Sequence, residues 1–184
     1  MTVEHNIPAA EREPSSEEIK QAAEVLSRLQ PGTLPKELFY EFTRLWVTSI
    51  IEVVPCRRNS QDQTEVLLLQ RPDDDPNWPG MYHTPGTVVR PTDVQDGIET
   101  ALNRIFSDEL NLAQPVPTQL VDIEFHQVSR GPEMAQVYTS DLTGLDIDHG
   151  TWCPADQLPD TIVDTQRDFI HTAVSSFQGK GTIV

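Results

Sequence analysis

Polar and apolar residues alternate between helical and strand periods along this chain, in an order that predicts two helices, strands, a helix, strands and a closing helix. Ser15-x-x-Glu18 has the form of a capping box, in which each side chain satisfies the other residue's orphan amide. From there Ile19, Ala22 or Ala23, Leu26 and Leu29 recur on one helical face until Pro31-Gly32. A second short helix is predicted from Pro35 to about Arg44, with Leu38, Phe39 and Phe42 as its stripe. Pro35 suits its start, where the missing N–H leaves nothing unsatisfied. Trp46 to Val54 is rich in β-branched residues, and Glu65 to Gln70 is a short apolar run. Both read as strands, joined by the polar turn 57–64.

Pro72 to Gly80, with its prolines, acids and Trp78, reads as a loop. Ile98, Leu102, Ile105, Phe106 and Leu110 then mark an amphipathic helix from Asp96 or Gly97 to Leu110. Strands are predicted at 119–127 and 133–140 around the turn Val128 to Pro132, and a last helix at 163–177. The pattern supports an α+β fold. It divides the chain into a flexible lead (1–14), a helical N-terminal extension (15–44), a main domain (45–178) and a flexible tail (179–184).

The formal charge of −16 argues against a nucleic-acid partner, because binding along a phosphate backbone draws its affinity from clustered Lys and Arg. Cys56 and Cys153 stand far apart without metal-ligand spacing, so neither a disulfide framework nor a cysteine metal site is expected. The N-terminal residues lack the apolar stretch of a signal peptide, and Leu45 to Pro55 is too short and too polar to span a bilayer. No membrane is expected as a partner, and the expected location is cytoplasmic.

The stretch Gly86 to Leu112, GTVVRPTDVQDGIETALNRIFSDELNL, resembles the Nudix box G-x5-E-x7-R-E-U-x-E-E-x-G-U, where U is a bulky aliphatic residue. Asp96 stands for the first Glu, seven residues before Arg104, and Asp108-Glu109 close the motif. Ile105 occupies the position of the carboxylate after the Arg, Thr87 that of the second glycine, and Asn111 that of the last. Nine residues separate Gly86 from Asp96, where the family has five. The approach Val66 to Pro72 and Trp78 to Gly86, and the ending Trp152, Leu158-Pro159 and final helix, are similar to the family's in the same order.

This resemblance covers about residues 45–178. It implies a Nudix-type α/β/α sandwich with a mixed β-sheet, here with an N-terminal two-helix extension. It also implies hydrolysis of a nucleoside diphosphate linked to another moiety, with Mg²⁺ or Mn²⁺ as cofactor. Such an ion offsets phosphate charge and activates water. Glu109 and Asp108 would hold the metal with a backbone ligand at Gly86, and Asp96 would brace Arg104. Arg71, Trp78 and Arg130 are the candidate substrate-binding residues.

Glu133 is the candidate general base, because the family often takes its base from outside the box. His149 is the other candidate catalytic group. It lies near the position of a catalytic His in the GDP-mannose mannosyl hydrolases, which also carry an aliphatic residue after the box Arg and keep the last Glu. A small nucleotide-type molecule is the expected ligand, and a homodimer is among the expected assemblies. The opposing expectation is a catalytically inactive module that binds a nucleotide-like ligand or a protein partner, with no metal.

Overall fold

A computed structural model describes residues 13–30, 32 and 34–179. The expected lead and tail lie outside the described residues, apart from residues 13–14 and Gly179, which closes the last helix. The chain divides between Leu34 and Pro35, ahead of the expected boundary at residue 45.

The first unit contains helix α1 (Ser16–Leu26). Ser15 caps it as its sequence predicts: Glu18 N donates to Ser15 Oγ at 3.3 Å, and Ser15 N donates to Glu18 Oε2 at 2.8 Å.

The second unit opens with α2 (Lys36–Leu45), followed by the strands β1 (Thr48–Arg58) and β2 (Thr64–Gln70). Next come the short strands β3 (Tyr82–His83) and β4 (Gly86–Val88), then a 3₁₀ turn at Pro91–Val94. Helix α3 (Ile98–Arg104) runs directly into a π-helical turn, Ile105–Glu109. The long strands β5 (Thr118–Val128) and β6 (Gly131–Asp141) form a hairpin, followed by β7 (Thr151–Pro154) and α4 (Asp164–Gly179). The single helix expected over 96–110 is thus an α-helix with a wider last turn. Strands β3, β4 and β7 are too short to leave a periodic signal in the sequence.

The sheet runs in the order β3-β2-β1-β6-β5, with β4 paired to β1 and β7 to β2. Strands β1 and β6 are parallel along their length, and the other pairs are antiparallel, so the sheet is mixed. The alternation of a strand sends neighbouring side chains to opposite faces. Ile50, Val54, Val66, Leu68, Ala135 and Val137 therefore meet Phe169, Ile170, Ala173 and Phe177 of α4. Ile51, Val53, Leu67 and Leu69 meet Ala101, Leu102, Ile105, Phe106 and Leu110 on the other face. Central strand β1 is buried on both sides, which explains its nearly continuous apolar run. The main unit is an α/β/α sandwich. No described helix is long and apolar enough to cross a membrane.

Candidate active site

Strand β1 pairs with β2 only at its far end, Cys56 to Arg58, while β4 pairs with it at Ile50 to Glu52. Beside this divergence lies a cleft of about 560 Å³, walled by Leu69, Gln70, Arg71, His83, Gly86, Asp108, Glu109, His149, Gly150 and Thr151. Five of the expected site residues meet there although they come from separate segments: Arg71, Gly86, Asp108, Glu109 and His149.

The π-helical turn sets the orientation of the two acids. Leu110 N donates to Ile105 O at 3.1 Å, five residues back, and Leu112 N to Phe106 O at 2.8 Å. Such wide turns recur at functional sites because they re-aim side chains without ending the helix. Here Ile105 and Phe106 point into the core, at 0% and 1% exposure, while Asp108 and Glu109 wall the cleft. Glu109 Oε2 accepts from Gly86 N at 3.0 Å, tying the helix end to the glycine turn. Burial pushes the Glu109 carboxyl up to about 7, against the pull of Gly86 N–H and Arg71. Asp108 is exposed and accepts from Ser107 Oγ at 2.6 Å.

The brace on Arg104 is Asp93, not the expected Asp96. Arg104 and Asp93 form a two-point ion pair, with Arg104 Nη2 donating to Asp93 Oδ2 at 3.1 Å and to Val88 O at 3.1 Å. Arg104 holds the Asp93 carboxyl below its ordinary value. Asp96 is exposed. If the box is started at Thr87 rather than at Gly86, its five-residue interval ends on Asp93, and ten residues then separate Asp93 from Arg104. The extra residues therefore fall after the brace, around Gly97, which begins α3 at φ 83°. Counting five residues from Thr87 is the signal that finds Asp93.

Glu133 does not wall the cleft. It is 3% exposed and paired with Arg130 on one oxygen and with His126 Nε2 at 3.2 Å on the other. Both oxygens are thus engaged. His126 and Arg130 lower its affinity for a proton despite its burial, the reverse of what a base needs.

Trp78 and Arg130 also lie off the cleft wall. The Trp78 ring carries the Arg71 guanidinium at 4.9 Å and that of Arg130 at 5.4 Å, and Ser129 Oγ donates to Asn77 Oδ1 at 3.0 Å. These contacts fasten the loop 72–80 to the β5–β6 turn. Arg71 is steadied on Asp75 at 3.1 Å, and its buried Nε has no partner among the described residues.

Glu52 is a site residue that the sequence pattern conceals. It interrupts the apolar run of β1, is 8% exposed, and shares a hydrogen bond with Thr84 Oγ1 at 2.6 Å. Gln166 of α4 accepts from Thr84 N at 2.9 Å and also contacts Thr84 Oγ1. Opposite Glu52 stands Gly86, where an added Cβ would lie 2.5 Å from Glu52 Oε2. Burial, reinforced by the nearby Glu109 charge, pushes the Glu52 carboxyl up to about 8. A lone acid inside a buried strand was the available signal.

Several solved structures superpose on this chain. The Nudix domain of Shewanella oneidensis NrtR, solved with ADP ribose, superposes with a TM-score of 0.59 at 18% identity, over 84% of this chain and 97% of that one. This chain has the Nudix fold. A mutT/nudix family protein from Listeria innocua gives a TM-score of 0.61 at 16% identity, over 74% and 98% of the two chains. A C. elegans Ap4A hydrolase, solved as a binary complex, gives 0.56 at 17%, over 72% and 99%. No family model and no curated protein matches the sequence.

Does a Nudix-type divalent ion fit these residues? Among the described residues, no three carboxylate, histidine or cysteine side chains converge to hold a metal by themselves. Mg²⁺ does not require them to. It commonly takes one or two protein carboxylates and completes its octahedron with water and substrate phosphate. Glu109 and Asp108 on the cleft wall satisfy that smaller demand, and the ion fits.

Proposed function

We propose that this Nudix-fold protein is a divalent-cation-dependent hydrolase of a nucleoside diphosphate linked to another moiety. The observation that carries this reading is the convergence of Arg71, Asp108, Glu109 and His149 on one cleft. Glu109 and Asp108 would hold Mg²⁺ or Mn²⁺, with Gly86 beside them. When bound, such an ion offsets phosphate charge and lowers the pKa of a coordinated water. Arg71, steadied by Asp75 and Trp78, offers its guanidinium to a phosphate, a geometry suited to two-point recognition. The Arg104–Asp93 pair fixes the helix on which Glu109 and Asp108 stand. His149, exposed on the loop before β7, is the candidate catalytic imidazole on the cleft wall. The ADP ribose bound by the NrtR domain supports a ligand of this class.

The test is turnover on a panel of nucleotide sugars, dinucleotides and nucleoside triphosphates, with and without Mg²⁺. The wild type should cleave at least one member only with the cation present. Glu109→Gln should lose at least 100-fold in kcat, in the range of other single catalytic groups. Turnover that persists without a divalent ion would sink the mechanism. The second reading, a catalytically silent module, is favoured by Ile105, which fills the core where the family carries a carboxylate. It requires no turnover across the panel, together with a ligand that raises the melting temperature.

A further inference from the structure

His83 is a titratable cleft residue to which the proposed chemistry assigns no part. It sits on β3 opposite Leu69, half-buried, on the same wall as Arg71 and Glu109. Its Nδ1 lies 2.7 Å from Thr84 O. A carbonyl oxygen cannot donate, so Nδ1 carries the proton. In a neutral imidazole, Nε2 then keeps its lone pair. No second hydrogen bond to His83 occurs among the described residues. Burial and the Arg71 charge push the imidazole down to about 4, so the ring is neutral throughout the physiological range. The cleft therefore presents a fixed acceptor beside the fixed donors of Arg71.

An acceptor is poorly matched to a phosphate oxygen, which carries lone pairs of its own, and well matched to a hydroxyl. Among the described residues, no Trp, Tyr or Phe walls the cleft. The group next to the phosphates must therefore be recognised by polar contacts rather than by stacking. We propose that His83 is a specificity-determining residue whose Nε2 accepts a hydrogen bond from a hydroxyl of the moiety joined to the diphosphate, which makes sugar-linked diphosphates the preferred ligands. This inference rests on the nucleotide-cleft reading above.

The experiment is calorimetric binding of ADP-ribose and of ADP, in buffer free of divalent cations, to the full chain and to His83→Phe and His83→Gln. His83→Phe should weaken ADP-ribose about tenfold, the worth of one net hydrogen bond, and leave ADP within about twofold. His83→Gln, whose side-chain oxygen is again an acceptor, should recover most of the loss. Unchanged ADP binding also establishes that the variant is folded. Equal weakening of both ligands, or none of either, overturns the role of His83 and leaves the nucleotide cleft standing. A wild type that binds neither ligand overturns the nucleotide reading and this inference together.

Discussion

Glu52 Oε2 lies 2.6 Å from Thr84 Oγ1, and the same hydroxyl also contacts Gln166 Oε1, which already accepts from Thr84 N. One hydroxyl proton cannot satisfy two acceptors. A proton on Glu52 completes the set: Glu52 donates to Thr84 Oγ1, and Thr84 donates to Gln166. This accords with a Glu52 carboxyl raised from 4.5 to about 8.

The stability consequence has a definite sign. Between pH 4.5 and about 8 the unfolded chain has lost the Glu52 proton and the folded chain keeps it, so the native state binds more protons and stability falls as pH rises. Glu109, raised from 4.5 to about 7, adds a contribution of the same sign over a narrower window. Urea midpoints measured in steps from pH 4.5 to 8.5 should fall in the wild type, and Glu52→Gln should flatten part of that slope. An equal slope in the variant would exclude Glu52 as a source.

Gly86 and Glu52 form a second testable pair. An added methyl at position 86 would meet the Glu52 carboxyl at 2.5 to 2.8 Å. Gly86→Ala should cost about 1–3 kcal/mol through overpacking. Glu52→Ala removes the obstacle, so the double variant should be less destabilised than the sum of the singles. Additive denaturation energies would show that the two residues do not touch in solution.

The Arg104–Asp93 pair separates the observed brace from the one that spacing suggested. Asp93 is 2% exposed, and Asp93→Ala leaves the guanidinium of Arg104 without its anion. A loss of about 3–5 kcal/mol is expected, the usual result of removing one partner from a buried pair. Asp96→Ala, at an exposed position, should stay within about 0.5 kcal/mol. Equilibrium denaturation of the two variants decides between the braces.

Ile105→Glu would restore the carboxylate that the Nudix box normally carries. Ile105 is fully buried among Ile51, Val53, Leu67 and Phe106, and an isolated buried acid is strongly destabilising. The variant should unfold or melt far below the wild type rather than gain activity. A melting temperature near that of the wild type, with higher turnover, would show that position 105 can turn toward the cleft.

Much of the chain was legible because local chemistry dictated it. The capping box at Ser15, the β-branched run of β1 and the apolar stripe of α3 each depend on neighbours in sequence, and each element formed within a few residues of its expected place. Strands β3, β4 and β7 depend instead on partners far along the chain, with only two to four residues each. The site divides along the same line. Helical spacing put Asp108 and Glu109 together at the end of their helix, but it could not foresee the π-helical turn that aims them.

The sequence by itself determined an α+β chain whose box retains an arginine and a closing pair of acids, because those features follow from residue type and short-range spacing. The tertiary structure decided which partners they meet. It paired Arg104 with the buried Asp93 and left Asp96 exposed, because the extra residues fall between Asp93 and the helix that carries Arg104. It withdrew Glu133 into an ion-pair network, and it brought Arg71, His83 and His149 to the wall that holds Glu109. It also placed Glu52 against Gly86, since side chains far apart in sequence become neighbours only once the strands that carry them are paired.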